Sequence, residues 1–390
     1  MARKKILWLA SWYPNKLDPF DGDFIQRHAR AAALYNDIHL IHVVGDGKGI
    51  IQGNVHEDLH PSQNLVEEVI YFRKSNTITG RMLAHYRWAR LFKKAVKKYI
   101  ITHGKPDIVH VHVGMKTGMI ALWIKNRYKI PFVVTEHWGI YNDVVDDSYS
   151  SKPAWFKKYT QRIFKEAIKF ISVSKYLAIG INRLVGVKPY EVIPNAVDTN
   201  LFFYNTTSKG IFRFIHVSNM VQLKNVAGIL RAIKILSESK TEFEVIMVGD
   251  AGTAIRKYAE ELGVLERFVS FRGEVSYPQV AKEMQQSNAM ILFSNMENSP
   301  CVIGEALCCG LPVIATNVGG IPELLDEENG VQVEAKNDLG LANAMEQMII
   351  SYASFKRVRI AENAKSRYSY PTIGKEIDQV YNSVLEEIKR

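Results

Sequence analysis

Three cysteines in 390 residues, Cys301, Cys308 and Cys309, are too few and too close together to staple a fold. Their number is odd and two are adjacent, which excludes a disulfide framework and suits a reducing compartment, with the thiols serving as core packing. No apolar run reaches the roughly 18 to 20 residues that a bilayer-crossing helix needs. The opening MARKKILWLASWYPN starts charged, breaks its apolar stretch at Ser11 and shows no small-residue cleavage pattern. KILWLAS therefore reads as a buried first strand, and the expected location is the cytoplasm. Low-complexity tracts and internal repeats are absent too, which excludes a solenoid. Acidic residues are missing from 81–105, where eight Lys or Arg occur.

The chain is rich in apolar residues, at 47%, enough at this length for two cores rather than one. Its net charge of +10 is unevenly placed. Residues 1–190 hold 30 Lys and Arg against 15 Asp and Glu, while 191–390 hold 20 against 25. A basic first half points to an anionic surface or partner. Within 81–105, Trp88, Phe92, Val96 and Tyr99 form one helical stripe, with Arg87, Arg90, Lys94 and Lys97 opposite. Such a segment either covers a sheet with its apolar stripe or lies on an anionic membrane.

Short β-rich runs alternate with segments of three-and-four apolar spacing. KKILWLA, IHLIHVV, DIVHVHV, FVVTEH, FISVS and YEVIP occur in the first half, then FRFIHVS, EFEVIMVG, VSFRGE, AMILFS and LPVIAT. QRHARAAALY, WARLFKKAVKKYI and VAGILRAIKIL read as helices between them. Strand–helix–strand repetition predicts an α/β protein with two doubly wound, Rossmann-like parallel sheets facing across a cleft, ligands lying beyond the carboxyl ends of the strands. The expected domains are 1–192 and 212–365, joined by a polar, turn-rich linker at 193–211, with 366–390 a terminal helix.

The most informative stretch is MENSPCVIGEALCCGLPVIATNVGGIPELL, residues 296–325. Ser299 reads as an N-cap with Pro300 at the first helical position, CVIGEALCC as the helix and Gly310 as its left-handed stop. The unpaired amides at that helix start, where Ser299 and Pro300 lead into Cys301 and Val302, offer a site for an anion or hydroxyl, and Glu297 lies just before it. Glu305 sits on an otherwise apolar helix, where a carboxylate is costly without partners; a pair of sugar or ribose hydroxyls would serve. A second amide-bearing turn, NVGGIPEL, follows the next strand. Two phosphate-friendly termini beside two carboxylates suggest a nucleotide sugar.

With its E-x7-E spacing, glycines and prolines in order, this string resembles the donor-binding signature of the retaining glycosyltransferases of family 4, which have the GT-B fold. The resemblance is dense over about 214–330, extends to 366–390 as the helix that returns to the first domain, and is looser at SWYPN, DGDF, TEH and IPNAVD. It implies that Glu297 contacts the donor sugar, that Glu305 hydrogen-bonds the nucleotide ribose, and that Lys224 neutralises the donor diphosphate. Where the family usually has an arginine five residues before that lysine this chain has Asn219, which leaves diphosphate charge to Lys224 and helix-end amides. His137 matches the histidine facing the donor sugar from the first domain. Gly22 lies in the loop that approaches the phosphates, Gly249 and Asp250 resemble the family's VGDG turn, and Gly273 to Val275 the base pocket.

The implied activity is transfer of a sugar, with retention, from a UDP- or GDP-linked donor to a saccharide or lipid-linked saccharide in cell-surface polysaccharide biosynthesis. The resemblance implies neither cofactor nor bound metal. His110 and His112 share a strand face without an evident third metal ligand, and Asp21-Gly22-Asp23 imitates a D-x-D motif far from a matching context. Peripheral attachment to the inner face of a membrane through 81–105 is expected to accompany such an acceptor. A nucleotide-sugar epimerase or hydrolase of the same fold, or a non-catalytic nucleotide-sugar binding protein, are the alternatives. Nucleic acid is not an expected partner, because the basic half carries no recognisable nucleic-acid motif.

Overall fold

The computed structural model describes residues 3–75, 77–142, 148–205, 210–239 and 241–389. Residues 206–209 of the expected linker lie outside the described residues. The chain forms two compact units, one of residues 1–194 with 370–390, the other of 195–369.

The first unit is built on an eight-stranded sheet. Its strands are β1 (Lys5–Ala10), β2 (Asp37–Asp46), β3 (Val55–Pro61), β4 (Leu65–Arg73), β5 (Ile108–His112), β6 (Phe132–Glu136), β7 (Phe170–Ser172) and β8 (Tyr190–Val192), in the order β3-β4-β2-β1-β5-β6-β7-β8. Every pairing is parallel except β3 with β4. β1 is buried throughout beyond Lys5, as a central strand covered on both faces must be. The β3–β4 pair does not announce itself in the sequence. VHEDLHP is polar and mostly exposed, and its charged side chains protect the sheet edge that it forms.

The helices of this unit are α1 (Asp23–Ala33), α2 (Ile78–His103), α3 (Thr117–Tyr128), α4 (Ala154–Glu166) and α5 (Lys175–Val185). The stripe on α2 belongs to the core: Phe92, Val96 and Tyr99 are buried, and the Trp88 indole donates to the Val43 carbonyl at 3.0 Å. That apolar face is therefore spent on covering the sheet. What α2 leaves exposed is a different set, Met82, Leu83 and Tyr86 near its start and Ile101 near its end.

The second unit carries a six-stranded, wholly parallel sheet of β9 (Phe212–Val217), β10 (Phe243–Val248), β11 (Val269–Gly273), β12 (Ala289–Leu292), β13 (Val313–Thr316) and β14 (Gly330–Val333), ordered β11-β10-β9-β12-β13-β14. Its helices are α6 (Val226–Leu236), α7 (Gly252–Glu261), α8 (Tyr277–Gln285), α9 (Cys301–Cys308), α10 (Asp338–Ser351) and α11 (Arg357–Tyr368). β14 is only four residues long and half exposed, too short to stand out as a strand pattern.

The chain then returns to the first unit as α12 (Tyr370–Lys389). A buried relay ties it to β1 and β5. The Trp8 indole donates to the Tyr381 hydroxyl at 3.0 Å, that hydroxyl lies 2.6 Å from His110 Nδ1, and His110 Nε2 lies 2.7 Å from Thr135 Oγ1. No helix among the described residues is long and apolar enough to cross a membrane.

Candidate functional site

In the second unit the strand order reverses between β9 and β12, and the loops leaving these two neighbours diverge at their carboxyl ends. Open α/β sheets bind ligands at such a point. The loop after β9 carries Lys224 and the loop after β12 carries Glu297. Lys224 Nζ lies 2.6 Å from Glu297 Oε1, which also accepts from Ser294 Oγ at 2.7 Å. Glu297 is only 8% exposed. Its carboxylate is thus held by a cation and a hydroxyl, as a buried charge requires.

Glu297 is also fixed through its backbone by the turn after β13. Gly320 N–H donates to the Glu297 carbonyl at 3.1 Å, and Gly319, at φ +58°, passes so close that a Cβ there would lie 1.8 Å from the same oxygen. This is the physical reason for the glycine pair in NVGGIPEL. The turn holds the acidic loop rather than merely displaying amides.

Glu305 is buried on α9 at 2% exposure, and the Tyr277 hydroxyl at the start of α8 donates to it at 2.5 Å. Part of the partnership that its burial demands is therefore internal. The helix start differs from expectation by one residue. α9 begins at Cys301, Pro300 occupies the cap position in extended conformation (φ −67°, ψ 118°), and no side chain caps the turn. Ser299 stands outside, its carbonyl accepting from Asn195 Nδ2 at 2.8 Å. Proline has no N–H to satisfy, so the chain loses nothing by placing it at the boundary. Val302 lies in the first turn with Cys301. Cys308 and Cys309 are buried, and burial pushes the Cys308 thiol up to about 12, so it is unreactive packing.

The remaining residues of this unit line the same sheet edge. Gly249 follows β10 at φ +127°, where a Cβ would meet the Ser218 carbonyl at 1.8 Å, and its N–H donates to the Gly273 carbonyl at 2.8 Å. Gly249 and Gly273 are thus brought together, with Val275 half-buried just beyond. Asp250 is exposed and accepts from Gly252 N–H at 2.9 Å, opening α7. Asn219 is exposed in the loop after β9, five residues before Lys224.

In the first unit, His137 follows β6 and is buried. Gly22, at φ +62°, starts α1, and that helix delivers two rings to His137: Phe24, with centroids 4.7 Å apart, and His28, at 5.5 Å. His112 Nδ1 lies 3.4 Å from His137 Nε2. Nitrogens of His28, His112 and His137 lie within 4.8 Å of one another. His112 therefore gathers other histidines than the sequence suggests, while its strand neighbour His110 is committed to Tyr381 and Thr135. Burial lowers His28 to about 4 and pushes His112 well down, so both rings are neutral near pH 7.

Three structurally important residues escape sequence reasoning. Glu136, fully buried, accepts from the N–H groups of Gly114, His137 and Trp138 and from the Tyr141 hydroxyl, and so shapes the loop that presents His137. Burial raises its pKa against these donors. His28 could have been flagged as a polar residue on the buried face of a helix, and Tyr277 carried no signal, because its partner is 28 residues away.

Comparison with known proteins agrees with this architecture. The family model for Glycosyl transferases group 1 matches residues 198–367, and that for Glycosyltransferase Family 4 matches residues 56–201. A Bacillus subtilis protein, TuaC, whose name places it in teichuronic acid biosynthesis as a glycosyltransferase, is 24% identical over 87% of this chain and 88% of its own length. Sucrose-phosphate synthase from Thermosynechococcus elongatus superimposes with a TM-score of 0.76 at 17% identity, covering 98% of this chain and all of that one. HepE from Anabaena, solved with UDP, gives 0.69 at 20% identity over 97% of this chain and all of its own. The chain is a glycosyltransferase of the GT-B fold, its first half matching the Family 4 domain and its second the group 1 domain.

Proposed function

We propose that the protein transfers a sugar, with retention, from a nucleoside-diphosphate sugar to a hydroxyl of a saccharide or lipid-linked saccharide in cell-surface polysaccharide biosynthesis. The observation that carries the donor assignment is the Lys224–Glu297 pair at the β9/β12 switch point. The solved neighbour HepE binds UDP, and TuaC belongs by name to teichuronic acid biosynthesis, which supports the class of donor and acceptor.

On this reading the bond between the anomeric carbon and the diphosphate oxygen breaks while the acceptor oxygen bonds to that carbon from the same face. The acceptor proton passes to the departing diphosphate, so no separate base is required. Lys224 and the first-turn amides of α9, around Cys301 and Val302, counter the charge growing on the leaving group, and no metal is assigned to that task. Glu297 contacts the sugar and holds Lys224 in place. Glu305 takes the ribose hydroxyls, sharing them with Tyr277, and the turns at Gly249–Asp250 and Gly273–Val275 border the nucleoside. Asn219 supplies an amide but no charge, and His137, carried over from the resemblance, touches the sugar. Peripheral membrane attachment rests on the basic first half and the exposed tip of α2.

The test is binding and turnover together. UDP, GDP and their sugars are titrated against the protein by thermal shift, where a ligand at a hundred times its dissociation constant stabilises by about 2.7 kcal/mol. The anomeric configuration of the product is then read by NMR. Stabilisation by none of them, or by all equally after Lys224→Ala, would refute the donor site. Sugar release or isomerisation without acceptor would favour the hydrolase or epimerase alternative.

A further inference from the structure

Three buried histidines of the first unit converge from separate elements: His28 from α1, His112 from the end of β5 and His137 from the residue after β6. Their ring centres form a triangle of 5.5, 5.7 and 6.3 Å, while one nitrogen from each lies within 4.8 Å of the other two. The nitrogens are nearer to one another than the ring centres are, so each ring turns a nitrogen toward the others. No carboxylate belongs to the group.

Hydrogen bonding fixes which atom of His28 is available. Its Nε2 lies 3.0 Å from the Pro194 carbonyl, which can only accept, so the proton sits on Nε2 and the neutral ring carries its lone pair on Nδ1. That Nδ1 is buried and has no hydrogen-bond partner among the described residues. A histidine whose second nitrogen donates to a backbone carbonyl is the usual form of a metal ligand, because the carbonyl sets both tautomer and ring orientation. His112 Nε2 is likewise buried without a hydrogen-bond partner among the described residues. Its Nδ1 stands 3.4 Å from His137 Nε2. That is longer than the usual range of about 2.7–3.2 Å for a hydrogen bond from N–H. It is close to the ~3.3 Å that separates two nitrogens on one tetrahedral zinc with bonds of about 2.0–2.1 Å.

The surroundings hold the rings and balance the nearest charge. Trp8 stacks on His112 with ring centres 4.0 Å apart, and Phe24 packs on His137 at 4.7 Å, an apolar shell that limits competition from solvent. Arg27, next to His28 on α1, is paired with Asp23 at 2.8 Å. Lone pairs turned toward one another in a core are costly, and a proton would relieve them only by burying a charge with no acid beside it. A divalent cation accepts all three lone pairs at once. Imidazoles without thiolate or carboxylate suit zinc, copper or nickel rather than magnesium or calcium.

We propose that His28, His112 and His137 form a binding site for a transition-metal ion of the zinc class, which ties α1 to the carboxyl ends of β5 and β6. Three nitrogens fill three of zinc's four positions and leave one for water or another oxygen ligand. From 4.8 Å at the widest, no pair of ligand nitrogens has to close by more than about 1.5 Å, which rotation of the side chains supplies. The site goes beyond the transferase reading. Its ligands all belong to the first unit, so it stands or falls apart from the donor assignment at Lys224, and the leaving diphosphate is still stabilised without a metal. For the transferase, its consequence is that an ion orients the His137 ring.

The experiment takes the whole protein, without a polyhistidine tag and stripped by a chelator, and titrates it with Zn²⁺ and Co²⁺. One equivalent of zinc is expected to bind and to raise the melting temperature. Cobalt should give the visible absorption of a low-coordinate nitrogen site, and zinc should abolish it. His28→Gln keeps an amide able to donate to the Pro194 carbonyl but has no imidazole. That variant and His112→Gln should each weaken zinc by at least the roughly hundredfold that loss of an outer-shell partner can cost. His85→Ala, an exposed histidine on α2, should bind zinc as the parent does. Should either glutamine variant unfold, nitrogen NMR of the parent decides instead, zinc being expected to shift the ring nitrogens of three of the eleven histidines. Binding of no zinc, undiminished binding in folded His28→Gln and His112→Gln, equal loss with His85→Ala, or no shifted ring nitrogen overturns the proposal.

Discussion

Gly319 and Glu297 are in contact through backbone alone: at φ +58° the glycine lies where any Cβ would stand 1.8 Å from the Glu297 carbonyl oxygen. The loop that carries the acid is therefore positioned by the absence of a side chain 22 residues later in the chain. Gly319→Ala must displace one loop or the other, at a cost of about 1–3 kcal/mol. Its expected signature is a lowered melting temperature together with donor affinity at least tenfold weaker. An alanine variant that binds the donor normally would show that the contact does not govern the site.

Lys224 and Glu297 form a partly buried pair, so removing either member leaves the other without its charge partner. Lys224→Ala is expected to lower kcat by about a hundredfold to a thousandfold, the loss typical of a donor that stabilises charge in the transition state. Glu297→Gln keeps the shape and should act more on the sugar, altering the discrimination between donors that share a nucleotide. Steady-state kinetics with two sugars on one nucleotide would check both. A Lys224→Ala enzyme with unchanged kcat contradicts the assignment.

Tyr381 accepts from Trp8 and faces His110 Nδ1, all three being buried. Tyr381→Phe removes the shared hydroxyl and strands two polar nitrogens in the core. The expected cost is roughly 2–3 kcal/mol of stability, measured by urea unfolding of the first unit's transition, with donor binding in the second unit unchanged. A loss below about 0.5 kcal/mol would mean that the relay does not secure α12.

Asp21 is raised from 3.8 to about 6, first by burial and then by Asp18. Its carboxyl holds a proton more tightly in the folded chain than in the unfolded one. The associated stability is complete below about pH 4 and is lost as pH rises through about 6. At full strength this displacement is worth ~3 kcal/mol, and solvent access reduces it to roughly 1 kcal/mol. Asp21→Asn should therefore be the more stable protein at pH 8, with the advantage gone at pH 4. Melting curves at the two pH values provide the comparison, and an advantage that grows toward low pH would contradict the assigned shift.

Much of this protein is determined by contiguous residues. Alternation of buried strands with amphipathic helices needs only local periodicity, and it was enough to specify two parallel sheets and most of their strands. Gly310 stops α9 at φ +70° as its position just past the helix predicts, because backbone conformation is decided within a few residues. The acid-bearing string with its glycines is legible for the same reason. The edge strand β3 and the short β14 are not, since their exposed or half-exposed residues gain strand character only by pairing with a neighbour, whereas β4, with Val69, Ile70, Tyr71 and Phe72 buried, is an apolar run whose place in the sheet only the tertiary structure shows.

What tertiary structure decided is which distant residues meet. Lys224 and Glu297 are 73 positions apart, and Trp8 and Tyr381 are 373 apart. The histidine cluster of His28, His112 and His137 comes from a helix and two strand ends. Local sequence cannot encode such meetings, because each depends on strand order and register, which emerge only when the cores close. The chemistry was written in residue types, and its geometry came from long-range packing.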